Sequence, residues 1–112
     1  MNKILIEVSV GELLDKLTIL EIKQEKIKDS EKLKYINDEY SVLKDELNKS
    51  VRTNPKLDEL FNSLKKINEK LWVIEDDKRL CEKNSDFGEK FVKLSRDIHF
   101  LNDDRAKIKL EI

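Results

Sequence analysis

An all-α fold, an antiparallel helical bundle or a set of long coiled-coil-like hairpins, follows from three observations. Apolar residues recur at spacings of three and four, the period of a helix face. Gly and Pro are nearly absent, at two and one. Charged residues make up 42% of the chain and hydrophobic residues 38%, a balance that suits long helices with solvated outer faces. Leu and Ile return too regularly for a disordered chain. The 112 residues are expected to form a single helical domain, 1–112, of about four helices behind a short extended N-terminal arm. A chain of this size buries roughly two thirds of its unfolded surface, enough for one modest core.

The arm is the segment Lys3 to Val8, where Ile4, Ile6 and Val8 alternate. It is expected to pack on the end of the bundle, with pairing to another chain's arm as the alternative. Ser9 and Glu12 form a capping box that starts the first helix. Its stripe is Leu13, Leu14, Leu17, Leu20 and Ile27, widened by Ile19 and Ile22, and it should end near Asp29 and Ser30. The second helix carries Leu33, Ile36, Tyr40, Leu43 and Leu47 at alternating steps of three and four. The pattern breaks at Val51, Arg52, Thr53 and Asn54. Asn54 is placed to cap a third helix with Pro55 at its first position.

That third helix has Leu57, Leu60, Leu64, Ile67, Leu71 and Ile74 on one seam, followed by Lys78 and Cys81. It should be the longest, about 27 residues or roughly 40 Å. Asn84 to Asp86 make a turn, with Asp86 and Glu89 as caps of the next helix. The fourth helix shows Phe91, Leu94, Ile98, Leu101, Ile108 and Ile112 in register, with Arg105 at a seam position. Short connections should make successive helices antiparallel neighbours, crossing near 20°.

Charge narrows the function. Lys+Arg is 23 and Asp+Glu 24, so the net charge is −1. No basic excess is available for nucleic acid or for an anionic membrane surface. No apolar run nears the roughly 20 residues that span a bilayer, and Ile4, Leu5 and Ile6 are too few for a signal-peptide core. With one Cys81 and no internal disulfide, the expected compartment is the cytoplasm. No cofactor is expected, since neither a Gly-rich dinucleotide loop nor a P-loop is present. One His99 and one Cys81 do not make a metal site.

One constellation stands out. Asn68, Trp72, Glu75 and Arg79 fall at i, i+4, i+7 and i+11 on the third helix, with Asp76 at the edge. Folding the hairpin about residue 85 brings Asn68 near Asn102 and Arg105, with Asp103 beside them. The first helix adds Asp15 and Lys16, with Thr18 and Glu21 nearby. A helical carboxylate within four residues of an Arg is usually a solvated pair. A crowd of unlike polar types around a single Trp is also what a ligand site looks like. Arg105 decides between these readings, because a guanidinium on the seam must be paired. Asp15, Glu21, Asp103 or the Asn68 amide should reach it, whereas Glu75 is expected to lie too far along the hairpin.

The stretch Ile6-Glu7-Val8-Ser9-Val10-Gly11-Glu12-Leu13-Leu14-Asp15-Lys16-Leu17-Thr18-Ile19-Leu20-Glu21-Ile22-Lys23 resembles the opening of a family of short, uncharacterised bacterial and phage proteins. Asn68-Glu69-Lys70-Leu71-Trp72, Ile74-Glu75-Asp76 with Arg79, and the ending Asn102-Asp103-Asp104-Arg105-Ala106-Lys107-Ile108-Lys109 carry the same resemblance. That family is a domain of unknown function, so the likeness implies a helical fold and no activity. Helical chorismate mutases and all-α nucleotide pyrophosphatases also place charged side chains inside bundles, but their motifs are not matched residue by residue. The expected function is a non-enzymatic interaction or assembly module, self-associating as a homodimer. The alternative is an enzyme binding a small molecule or nucleotide phosphate, hence an anionic ligand, between helices 1, 3 and 4. A concave pocket at the polar constellation would favour the alternative, and a closed ion-pair network the first reading.

Overall fold

The computed structural model describes residues 4–52 and 54–112; Lys3 of the expected arm and Thr53 of the expected loop lie outside the described residues. Four helices follow in order: α1 (Val10–Lys26), α2 (Ser30–Ser50), α3 (Pro55–Lys83) and α4 (Glu89–Glu111). No strand occurs among the described residues. The fold is the all-α bundle that the apolar spacing predicts.

Three of the four helix starts are built by side-chain caps that satisfy otherwise orphaned N–H groups. Ser9 Oγ accepts from the Glu12 N–H at 3.1 Å, Asp29 from those of Glu31 and Lys32, and Asn54 from that of Leu57. The reciprocal half of the capping box at α1 is diverted, because the Glu12 carboxylate pairs with Lys109 of α4 at 2.7 Å. The cap expected from Asp86 does not form. Ser85 turns the chain through the left-handed region at φ 54°, the Asp86 carboxylate folds back onto the Gly88 N–H, and α4 begins behind Gly88 without a side-chain cap.

The centre of the bundle is α1. It packs against α2, α3 and α4, and α3 and α4 pair as a hairpin. The backbones of α2 and α3 do not approach one another, contrary to the expectation that chain neighbours would be spatial neighbours. α1 lies between the two helices and packs against both. Leu14, Leu17, Leu47 and Leu64 form the core, flanked by Leu13, Leu43, Phe61 and Ile108. A second line along α1, namely Gly11, Asp15, Thr18 and Ile22, is buried as well. Gly11 is required there: a Cβ would run into the Lys109 carbonyl oxygen, so only glycine lets the last turns of α4 lie against the start of α1.

The 17 residues of α1 rise about 25 Å and the 29 of α3 about 43 Å, so the far end of the α3–α4 hairpin projects beyond the hub. Cys81 is buried between the hairpin helices, as its seam position suggests for a small apolar side chain. No residue of α4 is fully buried. The arm departs from expectation too. Ile4, Leu5 and Ile6 are 84%, 97% and 76% exposed, so the arm does not cover the bundle end. No described helix is long and apolar enough to cross a membrane.

Candidate functional site

The polar residues of α1, α3 and α4 meet where the hairpin crosses the hub. Thr18 donates its hydroxyl to the Asp15 carbonyl one turn back at 2.7 Å. Its oxygen then accepts from Asn68 Nδ2 at 2.7 Å, and the same amide nitrogen donates to Asp15 Oδ1 at 2.9 Å. The carboxylate fixes the orientation of the amide, since only the NH₂ end has donors to offer. From α4, Arg105 closes a fork on Asp15: Nε donates to Oδ1 at 2.9 Å and Nη2 to Oδ2. Lys109 Nζ stands 3.8 Å from Oδ2.

Asp15 is therefore a buried carboxylate saturated with donors. Burial pushes its carboxyl pKa up, but hydrogen bonds from Arg105 and Asn68 and the charges of Arg105 and Lys109 outweigh this, leaving it below its ordinary 3.8. The Arg105 guanidinium is held above its ordinary value, first by the hydrogen bond to Asp15 against the opposing effect of burial, then by the charges of Asp15, Glu12 and Glu75. Among the described residues no fully buried side-chain nitrogen or oxygen lacks a partner. Of the partners expected for Arg105, Asp15 is the one found. Glu75 is nearer than the hairpin register predicted, close enough to act on the guanidinium through its charge.

Beside this network lies a groove of about 200 Å³. Ile19 and Ile22 of α1 and Leu71 of α3 line it, and Trp72, Glu75, Asp76 and Arg79 continue along α3. Asn68, Asn102 and Arg105 close its other end. Seven residues of the predicted constellation thus share one concavity. The other three do not open onto it. Asp15 lies beneath, consumed by the network. Lys16 faces away and pairs with Glu39 of α2 at 3.0 Å. Asp103 lies on the exposed face of α4, 3.6 Å from His99. Both a pocket and a closed ion-pair network are present, so the two outcomes set against each other by the sequence coexist.

A second polar cluster, unforeseen as a unit, ties the other side of the hub. Lys65 of α3 bridges Glu21 at 3.1 Å and Glu25 at 2.9 Å, and the Tyr40 hydroxyl of α2 donates to Glu21 at 3.1 Å. Glu21 is thereby drawn away from Arg105. The hydrogen bond to Glu25 raises the Lys65 pKa against the effect of burial, with Glu21 adding to the rise. The signal in the sequence was the spacing of Glu21 and Glu25, one turn apart on α1. Their partner lies 40 or more residues away, and helix periodicity does not reach that far.

The family model for a family of unknown function, DUF6165, matches residues 4–112. The chain belongs to that family. No curated protein and no solved structure matches the chain. The match covers both the buried network and the groove, and it assigns no chemistry to either.

Proposed function

We propose that this member of the family is a helical self-association module whose protomers join through the outer face of α4. The observation that carries the reading is one stripe of seven residues at helical spacing: Glu89, Val92, Lys93, Arg96, Phe100, Asp103 and Lys107. All seven are exposed, and Val92 and Phe100 are more than half exposed. Two antiparallel copies of α4 crossing at the level of Ile98 find this stripe complementary to itself. Glu89 then meets Lys107 of the second copy, Lys93 meets Asp103, and Phe100 lies between Val92 and Arg96. Such surface pairs contribute little energy and mainly set register. The driving force is burial of Phe100 and Val92, with the Arg96 guanidinium over the Phe100 ring.

Light scattering at tens of micromolar should give about 27 kDa, twice the 13.3 kDa of one chain. Phe100→Asp should return it to one chain without loss of helicity. Lys93→Glu should weaken association, and adding Asp103→Lys should restore it. A single-chain mass at that concentration, or a dimer indifferent to Phe100→Asp, would sink the proposal.

A further inference from the structure

The groove beside Asp15 has a charge balance opposite to the one its two arginines suggest. Arg105 is engaged by the Asp15 carboxylate through both Nε and Nη2, and Arg79 by Asp76 at 2.8 Å. Two acceptors beside these pairs remain free among the described residues, the Glu75 carboxylate and the Asn68 side-chain oxygen. Glu75 is exposed and forms no ion pair. Asn68 is 5% exposed, and both hydrogens of its Nδ2 are spent on Asp15 and Thr18. Its Oδ1 accepts no hydrogen bond among the described residues. Since no fully buried polar side-chain atom is left unsatisfied, that oxygen must surface, and the cavity that Asn68 lines is the groove. A largely buried amide held rigidly from behind thus turns a free acceptor toward a concavity with an apolar wall of Ile19, Ile22 and Leu71.

We propose that this groove binds a small primary alkylammonium compound. The ammonium donates to Asn68 Oδ1 and Glu75, and the alkyl stem lies on Leu71 and the Trp72 indole. Three physical demands are met together. An ammonium offers three donors and no acceptor, matching groups that only accept. An aromatic face and a carboxylate both stabilise a cation. A groove of about 200 Å³ has room for a short unbranched amine. An anion would face the Glu75 carboxylate and would have to compete with Asp15 and Asp76 for the two arginines. The groove lies on a different side of α4 from the stripe that includes Arg96 and Phe100, so this inference stands apart from the self-association reading.

Trp72 is the only tryptophan and lines the groove, so its fluorescence reports binding directly. Titration with n-butylamine and with 1,4-diaminobutane at neutral pH should give a saturable change with a dissociation constant of about 1 mM or tighter, as expected for ligands of so few atoms. The same amines should raise the melting temperature, and n-butanol and inorganic phosphate should do neither. Glu75→Gln should weaken amine binding at least tenfold while leaving the circular dichroism spectrum unchanged and the ligand-free melting temperature within a few degrees, because Glu75 forms no hydrogen bond in the fold and touches Arg105 only through its charge. Saturation by phosphate, an equal response to n-butanol, no saturation by either amine at 50 mM, or unaltered binding in Glu75→Gln would each overturn the proposal.

Discussion

α1 and α4 are written in the same pattern and live in different surroundings. Both space apolar residues by three and four, and both carry charges between them. Seven residues of α1 are buried, including Asp15 and Thr18, whereas none of α4 is. The difference lies in the number of neighbours. α1 is enclosed by three helices, and α4 is covered by α3 along its length and by α1 near its end. Periodicity tells a helix which face to bury, but not how many partners will bury it.

That contrast predicts unequal responses to mutation. The largest should come from Leu17→Ala in α1. Leu17 is 1% exposed, and truncation should cost about 3–5 kcal/mol in urea denaturation by removing buried area and leaving a cavity. Val92→Ala on α4, at a position 53% exposed, should change the stability of the single chain by less than about 0.5 kcal/mol. Comparable losses at both sites would break the comparison.

Next comes the pair that joins the two helices. Arg105→Met should cost about 2–4 kcal/mol, because it strands Asp15, whose side chain is only 6% exposed. Adding Asp15→Leu and Asn68→Leu should recover much of that loss, since an apolar replacement of all three leaves no polar group unpaired. The same carboxylate makes stability depend on acidity. Its folded pKa lies below the ordinary 3.8, so its contribution is complete above about pH 4 and disappears as pH falls through the folded value. Acid titration of unfolding should therefore be shallower in Asp15→Asn than in the parent.

Gly11→Ala should follow, at about 1–3 kcal/mol, because the added methyl meets backbone at Lys109 rather than a side chain that can swing aside. Its effect should fall on the packing of α4, read as faster hydrogen exchange in the last turns of α4 with α2 unaffected.

The helices and most of their caps were legible because they are local. Ser9, Asn54, Pro55 and the steps of three and four each act within one turn. Asp86 was misjudged because Ser85 takes the left-handed conformation and hands the carboxylate to Gly88, one residue ahead of α4. The groove was largely foreseen, since Asn68, Trp72, Glu75 and Arg79 share a face of one helix and the hairpin turn sets Asn102 and Arg105 opposite. Its charge balance was not. That Arg105 belongs to Asp15 rather than to a ligand depends on how α1 lies across the hairpin, a docking that no single helix encodes. Lys16 and Asp103 stand outside the groove for the same reason: the neighbour that claims or exposes them lies off their own stripe. The arm was misread because an alternation of Ile4, Ile6 and Val8 states that one side wants cover without stating that this chain supplies it.

The Arg105–Asp15 fork spans 90 positions of the chain, and the Gly11–Lys109 contact spans almost the whole of it. The helical hairpins α1–α2 and α3–α4 need only nearby residues and can form early, at low loop-closure cost. Docking one on the other is the non-local step. During synthesis α1 is made before α4, so Asp15 precedes its counter-ion Arg105 by 90 residues. Until α4 is available, Asp15 keeps its hydration and the side of α1 that α4 covers stays open. The bundle is thus built to commit late, closing its buried ion pair only once α4 is in place.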